Sequence, residues 1–150
     1  KKAMAEEAEV AALRAEAEVG DARAMNDLGH AYHEGERGLK QDATQAFTWY
    51  KRAADLKDAH GLTKCAAFYL KGVGVERNHI RGFIKLGEAA ALGSEHACGL
   101  LGRANAEGRW GLEQNPQEAT RWYREMQKCD SRDSIEMFRE KAAAWLRDHP

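Results

Sequence analysis

Three stretches of this chain are copies of one another, and that constrains its fold more than any other feature. The first opens Gly20-Asp21-Ala22-Arg23-Ala24-Met25, passes through Leu28-Gly29, and closes on Ala46-Phe47-Thr48-Trp49-Tyr50 with Ala53-Ala54. The second starts at Asp58-Ala59-His60-Gly61-Leu62 and ends Phe83-Ile84-Lys85-Leu86 with Ala89-Ala90. The third starts at Gly93-Ser94-Glu95-His96-Ala97 and ends Ala119-Thr120-Arg121-Trp122-Tyr123. Their internal turns align too: Glu34-Gly35-Glu36-Arg37-Gly38-Leu39, Lys71-Gly72-Val73-Gly74-Val75 and Glu107-Gly108-Arg109-Trp110-Gly111-Leu112. Units of this size cannot bury an apolar face alone and do so by stacking on their neighbours.

Each unit reads as helix A, glycine turn, helix B. In the first helix A, Ala24, Leu28, Ala31 and Tyr32 fall three and four apart, on one face. Asp42, Asn78 and Asn115 stand in phase as N-caps of the three B helices, and Pro116 suits a first helical position. The paired glycines end each A helix and supply the positive φ of the turn. Gly29 and Gly102 lie inside A helices, where glycine costs about 1 kcal/mol against alanine. Close approach of a neighbouring helix is the expected compensation, and Ala66 fills the same slot in the second unit. The expected fold is all-α: a right-handed α-solenoid of stacked antiparallel helix pairs, about eight helices in all. The expected division is 1–19 as a capping helix or the end of a preceding repeat, 20–56, 57–92 and 93–129 as repeats, and 130–150 as a C-terminal capping helix.

At the ends, residues 3–18 are expected to form a helix with a weak apolar stripe of Met4, Ala8, Ala11, Ala12 and Ala15. Residues 132–147 follow an Asp130-Ser131 boundary, with Ile135, Phe138, Ala142 and Trp145 on one face and Arg139, Glu140, Lys141 and Arg147 on the wet one. A terminal helix that hides its neighbour's core and stays soluble has this pattern.

Composition narrows the function. The chain has 150 residues, 23 Lys+Arg against 24 Asp+Glu, and a net charge of −1, so it is no polycation and nucleic acid is a poor first partner. No apolar run reaches membrane-spanning length. The three cysteines, Cys65, Cys98 and Cys129, form no CxxC and read as small buried thiols in a reducing compartment, the cytoplasm first. An organelle stays open, because a start at Lys1 fits a processed leader or a missing earlier domain.

The units resemble Sel1-like repeats, a subfamily of the tetratricopeptide-type helical repeats. The residues that carry the resemblance are Asp21-Ala22, Ala24-Met25, Leu28-Gly29, Tyr32, Gly35, Gly38-Leu39, Asp42, Ala46, Trp49-Tyr50 and Ala53-Ala54. The second copy keeps Gly72-Val73-Gly74-Val75, Asn78, Ala89-Ala90 and Leu92-Gly93; the third keeps Gly108, Gly111, Asn115, Ala119 and Trp122-Tyr123. The second departs at Cys65, Gly82 and Lys85-Leu86, where looser packing is expected. The resemblance implies a non-enzymatic scaffold, adaptor or structural subunit that binds a protein or peptide.

In such an array the A helices line the concave face. Register from Leu28, Cys65 and Leu101 places Arg23, His60 and His96 in equivalent positions, then Asn26 and Thr63, then His30 and Arg103, with His33 one turn on. A cationic, partly titratable groove of this kind suits an acidic peptide or a chain carboxylate; an ordinary solvated face is the plainer alternative. Trp110 sits in a turn, either as an exposed anchor for a partner or folded over the gap between helices. His30 and His33 lack further ligands and an HExxH, so no metal is expected. No catalytic constellation and no cofactor motif is present. The competing function is an RNA-binding helical-repeat protein of the pentatricopeptide kind, which wants a basic groove and a polar code pair in each unit.

Overall fold

The computed structural model describes residues 1–129 and 136–150. Among these are eight α-helices and no strand: α1 (Lys2–Glu18), α2 (Ala22–Glu34), α3 (Ala43–Asp55), α4 (Ala59–Lys71), α5 (His79–Ala91), α6 (Glu95–Glu107), α7 (Pro116–Lys128) and α8 (Glu136–Asp148). The pairs α2/α3, α4/α5 and α6/α7 are hairpins stacked in a row, each helix packing chiefly on its neighbours in sequence. The result is a right-handed α-solenoid.

Local chemistry repeats with the same phase. Six helices start on a side chain that accepts from a free backbone N–H: Asp21, Asp42, Asp58, Asn78, Ser94 and Asn115. Each such cap stabilises its helix by about 1 kcal/mol. The three A helices end on left-handed glycines, Gly35, Gly72 and Gly108, with φ of 70°, 70° and 67°. Each turn then closes with the same backbone bond. The N–H groups of Asp42, Asn78 and Asn115 donate to the carbonyls of Tyr32, Tyr69 and Asn105, all at 2.8 Å. The shorter middle turn comes nearest its neighbour: a Cβ on Gly74 would lie 2.2 Å from the Ala43 carbonyl oxygen.

The glycines inside the A helices mark close approach of helix B. A Cβ on Gly29 would sit 2.8 Å from the Tyr50 ring, and one on Gly102 2.6 Å from Tyr123. In the second repeat Ala66 stands where those glycines do and Leu86 where the tyrosines do, and both are fully buried. The looser packing expected there does not occur. Leu62, Cys65, Ala66, Leu70 and Leu86 are all 2% exposed or less. Gly82 is needed because a Cβ would lie 2.7 Å from the Leu70 side chain. Aromatic contacts join the first two repeats, with Phe47 edge-on to Tyr69 at 5.2 Å and Tyr50 edge-on to Phe68 at 5.5 Å.

The N-terminal helix buries a different stripe from the one expected. Met4, Ala8, Ala11, Ala12 and Ala15 are exposed, and Val10, Leu13 and Ala17 face the core. Val and Leu remove more apolar area from water than alanines do, so they set the orientation. Arg37 on Glu9 at 2.6 Å and Arg52 on Glu18 at 3.0 Å hold the helix from outside. At the other end, Phe138 and Ala142 of α8 are buried, and Trp145 is half-buried and donates to Thr120 Oγ1 at 3.0 Å. Ile135 and the Asp130-Ser131 boundary lie outside the described residues. Arg139 lies on the wet face as expected, its side chain 47% exposed, and from there grips the buried Glu95 carboxylate at 2.6 and 3.2 Å.

Candidate functional site

Helices α2, α4 and α6 put their equivalent first-turn residues Arg23, His60 and His96 in a row. One turn on come Asp27, Lys64 and Leu100, and one more brings His30, Ala67 and Arg103. Arg23, His30 and His60 are exposed; His33, Lys64, His96 and Arg103 are half-buried. α4 contains no Asp or Glu, whereas α2 carries Asp27 and Glu34, and α6 carries Glu95 and Glu107. Positive charge is therefore concentrated on the middle repeat.

These groups sense one another. His60 keeps much of its surface in solvent, yet the protein packed around its ring displaces enough water to lower its affinity for a proton, and Lys64 and His30 add to the effect against the opposing pull of Asp58 and Asp27. Burial likewise lowers His96, helped by Lys64 and His60. Imidazoles from three repeats and one ammonium thus form a single electrostatic row. Lys64 was not singled out from sequence; the signal available was its place between His60 and Ala67 on an acid-free helix.

The other expected residues take several settings. His30 lies 3.6 Å from Glu36 and His33 3.6 Å from Glu34, and the His33 ring packs 5.1 Å from Phe68. Arg103 pairs with Glu107 at 3.3 Å, and His96 rests 5.4 Å from Phe138. Asn26 and Thr63 are buried, at 9% and 2% exposure. Asn26 donates to Asp58 at 2.7 Å, and Thr63 lies 3.5 Å from Ser94, so each reaches the cap of the next A helix. They join repeat to repeat, and their place in the third repeat is taken by Gly99, against which Phe138 packs. Trp110 is half-buried, tilted 64° to Phe83 at 6.3 Å, and folded onto the central core. Among the described residues, no three His, Cys, Asp or Glu gather where a metal ion would be held.

The profile of the Sel1 repeat matches residues 22–58, 59–94 and 95–126, well over half of the chain. The chain belongs to the Sel1 repeat family. Three solved structures are similar. The Sel1 repeat protein of Oxalobacter formigenes is 31% identical with a TM-score of 0.67, covering 73% of this chain and 44% of that one. The protective antigen c5321 of uropathogenic Escherichia coli, which displays an SLR fold, is 28% identical with a TM-score of 0.73, covering 79% and 25%. Helicobacter pylori cysteine rich protein B is 29% identical with a TM-score of 0.59, covering 61% and 68%. In sequence, the ERAD-associated E3 ubiquitin-protein ligase component HRD3A of Arabidopsis thaliana is 34% identical over 62 residues. That stretch is 41% of this chain and only 9% of the plant protein. Sel1 repeat proteins typically serve as scaffolds for protein–protein interaction, and theirs is a non-catalytic repeat family. No helix among the described residues is long and apolar enough to cross a membrane.

Proposed function

We propose that this Sel1 repeat chain is an interaction scaffold, or a structural subunit of a larger assembly, that holds an acidic protein or peptide segment on the concave face lined by α2, α4 and α6. One observation carries the reading: α4 presents His60 and Lys64 with no acid on the helix, between Arg23 and His30 on one side and His96 and Arg103 on the other. Carboxylates laid across that row meet donors from three repeats. The groove is built on helices whose inner faces are locked in the core, so binding needs little backbone rearrangement. Charge steers the encounter and is screened by salt. Trp110 belongs to the packing of the turn and is left out of the contact surface, as are the buried Asn26 and Thr63. The role needs no cofactor, no metal and no catalytic residue. Membership in a complex fits the family and the HRD3A similarity. A reducing compartment, the cytoplasm first, suits the buried thiols: burial pushes Cys65 and Cys98 up to about 12.

Fluorescence anisotropy with a labelled glutamate-rich peptide tests this reading, with a lysine-rich peptide and a single-stranded RNA in parallel. The expected outcome is saturable binding of the acidic peptide alone, lost in an Arg23→Glu/His60→Glu/Lys64→Glu variant whose circular dichroism is unchanged. Tight, salt-dependent RNA binding with no peptide binding would overturn it in favour of an RNA-binding repeat protein.

A further inference from the structure

Helix α5 buries one face and leaves an apolar stripe on the other. Ile80, Ile84, Gly87 and Ala91 follow one another at spacings of four, three and four, which sets them on one line. That line points away from Gly82, Leu86 and Ala89, the residues that α5 buries. Ile80 is 75% exposed, Ile84 is 54% exposed, and Ala91 is exposed at the far end. The flanking B helices are polar at the same four positions. They carry Thr44, Thr48, Lys51 and Asp55 on α3, and Gln117, Arg121, Arg124 and Lys128 on α7.

Gly87 is unusual for a second reason. Glycine weakens a helix interior relative to alanine, and elsewhere in this chain a close neighbour accounts for it. A Cβ on Gly29, Gly61, Gly82, Gly99 or Gly102 would lie 2.6 to 3.1 Å from another side chain, whereas one on Gly87 would meet nothing within 4 Å. The middle of the stripe is therefore a notch that no part of the chain fills.

The stripe complements itself when a second copy is turned end for end. With two α5 helices antiparallel, Ile84 of each lies opposite Gly87 of the other, and Ile80 lies opposite Ala91. Large side chains then enter small sites, in the alternating spacing of coiled-coil packing. A parallel pair would instead stack isoleucine on isoleucine and glycine on glycine. The antiparallel register also matches the charges. Arg81 and Glu88 lie on one flank of the stripe, so Arg81 of each copy faces Glu88 of the other. Lys57 binds Glu88 Oε2 at 3.1 Å and holds that carboxylate beside the stripe. On the opposite flank Phe83, backed by Trp110 at 6.3 Å, comes over Ala90.

We infer that two copies of this chain associate through α5, antiparallel about a two-fold axis. The contact is isologous, one patch meeting itself. It is one helix wide, because α3 and α7 are polar on either side, so the dimer is weak and forms as concentration rises. The pairing leaves α2, α4 and α6 of both copies uncovered and stands whether or not they hold an acidic segment.

Sedimentation velocity of the chain over a wide range of concentrations tests this. The expected result is a monomer–dimer equilibrium. Gly87→Lys, which installs the residue of the first repeat, is expected to weaken the dimer at least about tenfold with helical dichroism unchanged. Should that variant not fold, Ile80→Thr/Ile84→Thr carries the same test. Arg81→Glu is expected to weaken the dimer as well, and Arg81→Glu/Glu88→Arg to restore it, because the two charges exchange places across the axis. A chain that stays monomeric at every concentration overturns the inference. So does a dimer that Gly87→Lys leaves intact, or one that the charge exchange fails to restore.

Discussion

The Tyr50 ring lies so close to Gly29 that a single methyl group on the glycine would sit 2.8 Å from it. The same fit joins Tyr123 to Gly102 at 2.6 Å, whereas the second repeat pairs a larger Ala66 with a smaller Leu86. Size is traded across the hairpin and the helices keep their spacing. Gly102→Ala alone is therefore expected to destabilise by about 1–3 kcal/mol through overpacking, despite alanine's better helix propensity. Gly102→Ala/Tyr123→Leu, which installs the pairing of the second repeat, should recover much of that loss. A double-mutant cycle by urea unfolding measures the coupling, and additivity of the two changes would contradict the size-exchange account.

The middle turn is the tightest point of the array. Gly74 has φ of 67°, and an added Cβ would lie 2.2 Å from the Ala43 carbonyl oxygen and 2.6 Å from its carbon. Gly93 also has positive φ, at 86°, but an added Cβ meets nothing within 4 Å. Gly93→Ala is thus expected to cost only left-handed strain, about 1–2 kcal/mol, and Gly74→Ala clearly more. Thermal unfolding of the two variants side by side checks the order; equal losses would show that the backbone contact is relieved cheaply.

Core and surface should separate on the first A helix. Leu28 is fully buried, so Leu28→Asp strands a charge and is expected to remove at least about 3 kcal/mol and unfold the first repeat. Arg23 is exposed, and Arg23→Glu is expected to leave circular dichroism unchanged while weakening acidic-peptide binding. Full thermal stability in the Leu28→Asp variant would refute the core assignment.

Stability and binding should respond to acid in opposite directions. His60 and His96 hold protons less tightly in the folded chain than in the unfolded one, where a histidine titrates near about 6.5. The unfolded state therefore binds more protons as pH falls past that value, and folding stability declines until the folded histidines also protonate. Protonated imidazoles attract carboxylates, so affinity for an acidic peptide rises over the same range. Chemical unfolding between about pH 7.5 and 5.5 reads the first effect. The His60→Gln/His96→Gln variant should flatten both slopes, and unchanged slopes would remove the two rings from the account.

Much of the architecture was legible in the sequence because its signals recur in phase. Asp42, Asn78 and Asn115 marked the B helices, and Gly29 and Gly102 announced the close approach of helix B. Where a signal was single or weak, it misled. The alanine-rich α1 has small apolar residues on every side, so periodicity did not reveal that Val10, Leu13 and Ala17 point inward. Asn26 and Thr63 share the A-helix register of the surface residues but lie far enough round the helix to meet the next cap, a distinction of angle that spacing does not resolve. Arg139 is solvated as its pattern indicated, but nothing in its own segment pointed to its partner Glu95, 44 residues earlier.

The most direct measurement is a two-dimensional amide NMR titration of the labelled chain with an unlabelled acidic peptide. The account predicts shifts that concentrate on Arg23, His30, His60, Lys64, His96 and Arg103, with the outer faces of α3, α5 and α7 quiet. Shifts clustered on those outer faces, or none at saturating peptide, would contradict it.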